Sequence, residues 1–115
     1  MIMKRFAARR IYLSSEQRML DLHVVELDDS GIVRTVFPLR EEISHTEWVS
    51  GIIVIAPGFP PRRPEESFSG YADRLRSQPA APLHAVRIAP FNLSATEFTP
   101  HSRVIPLFSP PITRI

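Results

Sequence analysis

A chain of 115 residues with 43% hydrophobic and 23% charged side chains can bury one core, and its net charge of only +2 excludes the composition of a disordered chain. Cysteine is absent, so disulfides, thiolate metal sites and thiol nucleophiles are excluded, and a cytoplasmic setting is expected. No apolar run is long enough to span a bilayer as a helix, and the basic start, Met1 to Arg10, lacks the apolar stretch of a signal peptide.

Charge is laid down in blocks. Residues 1–20 carry a net +4 and residues 21–56 a net −5. Opposite signs on consecutive segments predict cross-strand pairing within one sheet. Prolines divide the chain as well. Only Pro38 precedes residue 57 and the other eleven follow it, so regular structure is expected first and shorter pieces after.

Phe6 to Leu13 reads as a first strand. Asp21 to Leu27 reads as a second, with Leu22 and Val24 on one side and His23, Val25 and Leu27 on the other. Asp28-Asp29-Ser30-Gly31 has turn chemistry, because short polar side chains bond to nearby backbone and Gly31 tolerates positive φ. Ile32 to Phe37 returns, making Asp21 to Phe37 a β-hairpin that Pro38 ends. Leu39 to His45 is a polar connection. Thr46 to Val49 and Ile52 to Ala56 flank Ser50-Gly51, as a tight hairpin or as one strand bent at the glycine. The unbroken apolar run of Ile52 to Ile55 predicts cover on both faces.

Pro57 to Pro64 is a proline-rich loop. Glu65 to Gln78 is the helix candidate, with acids at its start, Arg74 and Arg76 near its end, and an apolar stripe of Phe68, Tyr71 and Leu75. Leu83 to Ala89 is a strand, Phe91 to Phe98 a loop or short turn, and Arg103 to Phe108 a last strand broken by Pro106. The expected fold is mainly β, a small β-sandwich or partly open barrel with one short helix around residues 65–77. It forms one domain over 1–115, with a loop at 57–64 and a disordered tail at 109–115.

No catalytic, cofactor or metal site emerges. His23, His45, His84 and His101 have no metal-ligand spacing, although His23 and His84 sit in strands where they could face one pocket. Asp28 and Asp29 are explained by the turn. Adjacent Glu41-Glu42 and Glu65-Glu66 do not face each other, so neither pair is an acid–base couple. Lys4, Arg5, Arg9 and Arg10 with Phe6 or Tyr12 offer phosphate contacts and stacking, against which stands the acidic neighbouring segment. Pro57 to Pro64 has PxxP spacing, explained more simply by a surface loop. Trp48 reads as a core or interface ring.

The order of a basic strand, an acidic hairpin with D-D-x-G, T-E-[aromatic]-x-x-G and then Gly51-Ile52-Ile53-Val54-Ile55-Ala56-Pro57-Gly58-Phe59 resembles the N-terminal strands of the amidohydrolase superfamily. There such strands form a small β-sandwich beside a metal-binding barrel, and P-G-F leads into an H-x-H motif. Here Pro60-Pro61-Arg62-Arg63 follows instead, and the chain is too short for a barrel of roughly 250 residues. Ile88 to Leu93 and Ser102 to Leu107 are similar to the ends of short bacterial proteins without an established function. The resemblance implies a stand-alone β-domain without catalytic machinery and carries over no catalytic residue. Three functions follow as expectations. The first is a protein-contact or accessory domain, with a homodimer expected from unpaired strand edges. The others are a hydrolase-like enzyme using dispersed His and Asp residues, and a nucleic-acid binder using the basic first strand.

Overall fold

The computed structural model describes residues 3–40, 45–79 and 82–107. The elements are β1 (Lys4–Leu13), a 3-10 turn (Ser14–Glu16), β2 (Arg18–Leu27), β3 (Val33–Pro38), β4 (Thr46–Trp48), β5 (Ile52–Ala56), α1 (Phe68–Arg76), β6 (His84–Asn92) and β7 (Glu97–Pro106). All seven strands belong to one open sheet in the order β3-β2-β1-β5-β6-β7, with β4 also paired to β1. The fold is therefore mainly β with one helix, and strands from both ends of the chain share the sheet.

The sheet bends along a single line that crosses successive strands. Arg9 and Leu22 would oppose each other in the β1–β2 register, yet both drop out of it, and Leu22 takes φ 52°. On the other side of β1, Ala7 pairs with Trp48 and Arg10 with Ile52, so one extra residue is inserted there. This is a β-bulge at Ser50-Gly51, and β4 and β5 are one bent strand rather than a hairpin. Across β6 and β7 the register shifts between Ala89 and Phe91, which pair with Arg103 and Phe98. Bulges at matching levels in neighbouring strands bend each strand and increase the twist together along this line. The backbone bond from the Val33 N–H to the Leu83 carbonyl, 2.8 Å, brings the β3 edge against the chain entering β6.

Two cores result. Ile52, Val54 and Ala56 meet Phe68, Tyr71, Ala72 and Leu75 of α1, and this side of the sheet is its helix face. Ile53 and Ile55 meet Phe6, Ile11, Val25 and Leu27 on the opposite, hairpin face. β5 is buried along its whole length, as its unbroken apolar run predicts. The blocks of charge pair across strands too: Arg5 to Glu26 at 2.6 Å and Arg10 to Asp21 at 3.3 Å.

The β2–β3 hairpin forms around the predicted turn. Asp28 is buried, and its Oδ1 accepts from the N–H groups of Ser30 (2.8 Å) and Ile32 (3.0 Å). Its Oδ2 accepts from Arg34 Nε at 2.6 Å, and Gly31 takes φ 81°. The Ile32 bond, followed by those from Ser30 and Arg34, outweighs burial and holds the Asp28 carboxyl below its ordinary range.

Other sequence expectations are corrected. The helix starts at Phe68, after an N-cap Ser67 whose hydroxyl accepts from the Gly70 N–H at 3.1 Å. Glu65 and Glu66 thus precede it. The acid at its N-terminus comes from β7: Glu97 Oε2 accepts from the Phe68 N–H at 2.5 Å. The loop or short turn expected over Phe91 to Phe98 narrows to a turn at residues 93–96, because Phe91 and Asn92 complete β6 and Glu97 and Phe98 open β7. Pro106 ends β7 rather than breaking it. Leu22 lies at the bend, 48% exposed, instead of sharing a buried face with Val24. The expected disordered tail at 109–115 lies outside the described residues.

Candidate functional site

A groove of ≈ 600 Å³ lies on the helix face of the sheet. Its floor is Val86, Val104 and Pro106 on the helix face of β6 and β7, since Val86 pairs with Pro106 and Val104 with Ile88. One wall is Phe59, Pro60 and Pro61. Ser30 and Gly31 of the hairpin turn and His84 complete the lining. The size suits a side chain or small ligand.

The proline-rich wall is fastened from beneath. Tyr71 Oη donates to the Pro60 carbonyl at 2.7 Å and Arg74 to the Pro61 carbonyl at 2.9 Å. Gln78 Nε2 donates to the Gly58 carbonyl at 2.9 Å. Arg74 also grips Glu66 through two bonds of 2.8 and 2.7 Å, while the Arg63 N–H donates to the same carboxylate at 3.0 Å. Those bonds, Arg74 foremost, bring the Glu66 carboxyl down to about 2. The Arg62 guanidinium lies 4.0 Å over the Phe98 ring. The PxxP segment is thus a fixed wall of the groove, and its prolines are held by α1 rather than displayed as a free polyproline ligand.

β7 forms the other boundary and is an edge of the sheet. The Leu107 N–H donates to the Ala85 carbonyl at 3.4 Å. In an antiparallel ladder this turns the backbone groups of odd residues toward β6 and those of even residues outward. Val104 therefore presents its N–H and C=O at the open edge, and Pro106 presents its C=O. The N–H that proline lacks would have pointed outward, so the inner ladder loses nothing. Val104 is 36% exposed and Ile105 37%. On the hairpin face of the same edge, Arg87 pairs with Ile105 and Ala89 with Arg103. Arg87 Nε is buried and has no hydrogen-bond partner.

The other candidates do not converge. His23 Nδ1 lies 2.9 Å from the Asp21 carbonyl and lines a separate cavity with Leu20, Val33 and Val36, so His23 and His84 do not share a pocket. His45 and His101 are exposed. Among the described residues no group of three or more His, Asp and Glu side chains is placed to hold a metal ion. Asp28 organises the turn, Asp29 is exposed, Glu66 is committed to Arg74, and Glu41-Glu42 lie outside the described residues.

The basic first strand is largely spoken for. Arg5 is bound to Glu26, and Arg10 reaches Asp21, the Leu93 carbonyl (3.0 Å) and Thr96 Oγ1 (3.4 Å). Phe6 is buried, and Tyr12 packs edge-on against Phe68 at 5.6 Å. Neither ring is free to stack on a base. Trp48 is not a core ring: it is 55% exposed beside Arg9 and Leu93.

No motif or spacing in the sequence marks Val104, Pro106 or Arg87 as site residues. The one signal was the apolar pair Val104-Ile105 beside Arg103 in a β-prone run. No family model, no curated protein and no solved structure matches the chain.

Proposed function

We propose that this chain is a non-catalytic β-domain that works by contact with another polypeptide, which it receives along the outer edge of β7. The observation that carries the reading is the coincidence of an outward-facing backbone at Val104 with an apolar groove beside it. Strand addition uses these two features: backbone bonds supply affinity, and a pocket for alternate side chains supplies specificity. The placement of His84 and His23 on two separate cavities favours binding over catalysis. A second copy of the chain, in the homodimer expected of a small sheet with open edges, is a competing occupant of the same edge. Kinship with the β-domain of the amidohydrolase superfamily belongs to the same proposal, a reading that rests on the sequence resemblance through Pro57-Gly58-Phe59.

The test is selection from a displayed library of extended peptides. Selected peptides should bind the protein and lose binding to Val104→Pro, which removes the outward N–H while leaving the inner ladder in place. Binders indifferent to that substitution would place the contact elsewhere and overturn the reading.

A further inference from the structure

Building on the strand-addition reading, we infer that the strand received by β7 alternates aliphatic and acidic residues. The register dictates the alternation. A residue paired with Val104 has its side chain on the helix face, beside Val104 and Pro106 at the groove. Its two neighbours fall opposite Arg103 and Ile105, with side chains on the hairpin face.

That second face carries uncompensated positive charge. Among the described residues neither Arg87 nor Arg103 has a carboxylate within ion-pair distance, whereas Arg5, Arg10, Arg34 and Arg74 each have one. The Arg87 Nε is buried without a partner, which leaves a desolvated donor uncompensated. A carboxylate opposite Arg103 completes a cross-strand ion pair. One opposite Ile105 stands two strands from Arg87, about 10 Å between backbones, a span that the two long side chains bridge.

The same charges disfavour a second copy as the occupant. Two β7 strands paired about Val104 would set Arg103 of each against Ile105 of the other. Four arginines would then share one face with no acid supplied, and like charges in register are repulsive.

Fluorescence anisotropy on the full chain tests the inference with three labelled probes. They are a peptide of alternating valine and glutamate, its lysine counterpart, and the valine–glutamate peptide N-methylated at the central valine. The acidic peptide should bind roughly tenfold or more tightly than the basic one, with a preference that shrinks as salt rises. N-methylation should abolish binding, and Arg103→Glu, at an exposed edge, should reverse the charge preference. Equal binding of acidic and basic peptides would overturn the inference while leaving strand addition standing. A dimer that Val104→Pro dissociates, with no peptide bound, would do the same. A monomer by light scattering that binds none of the probes would remove both.

Discussion

Gly51 backs directly onto the carbonyl of Ile88, so that a Cβ at position 51 would stand 2.1 Å from that oxygen. The contact is backbone against backbone, and neither side can move without breaking the β5–β6 ladder at Ile52–Ile88. Gly51 also takes φ 84°, a conformation that costs side-chain-bearing residues. It lies on the line where the sheet bends. Gly51→Ala should therefore destabilise the domain by about 2–4 kcal/mol. A urea midpoint within error of wild type would show that the bend does not depend on this glycine.

Glu97 should matter to a helix that lies 29 residues earlier in the chain. Its Oε2 accepts from the N–H groups of both Phe68 (2.5 Å) and Phe98 (3.0 Å). Glu97→Ala strands a helix N-terminal donor and removes a negative charge from the positive end of the macrodipole. A loss of about 1–2 kcal/mol is expected, with Glu97→Gln intermediate because its amide oxygen still accepts. Equal stability of the three proteins in chemical denaturation would contradict this role.

Acid should act through Glu66. Its carboxyl ionises at about 2 in the fold against an ordinary 4.5, chiefly because Arg74 donates to it. A depressed carboxyl contributes its full stability above the unfolded value, so the contribution is complete above about pH 4.5 and lost as pH falls toward about 2. Asp28, also held low, acts in the same direction. Glu66→Gln should thus lower the melting temperature at neutral pH and flatten its fall through that window. Parallel melting-temperature profiles for the two proteins would refute the assignment.

Removing residues 100–115 should unfold the domain. The cut deletes the half of β7 that pairs Arg103 to Pro106 with β6, and with it the floor of the groove. A chain ending after Phe108 keeps that ladder and should melt as wild type does. A protein ending at Thr99 that still melts cooperatively near the wild-type temperature would show the C-terminal half of β7 to be dispensable.

The purified protein should hold no stoichiometric transition metal. Cysteine is absent and the histidines lack ligand spacing. About one zinc, iron or manganese per chain by elemental analysis would reopen the enzymatic alternative.

Local chemistry alone made several features legible. The turn at Asp28 to Gly31, the double cover of Ile52 to Ile55, the helix stripe of Phe68, Tyr71 and Leu75, and the pairing of the basic and acidic blocks all follow from periodicity, turn residues and charge. Each depends on neighbours in sequence or on the two faces of one strand. What only the tertiary structure decided depends on register between distant strands. Ser50-Gly51 suited a hairpin and a bulge equally, and β1 selected the bulge by pairing with residues on both sides of it. The acid at the helix N-terminus came from Glu97, because β7 passes there, and not from Glu65 or Glu66. The groove is assembled from four separate stretches of chain, so no stretch announces it. Arg87 stands in an ordinary strand pattern, and the absence of an ion-paired carboxylate for it among the described residues is a property of the packed layers that no spacing in the sequence encodes.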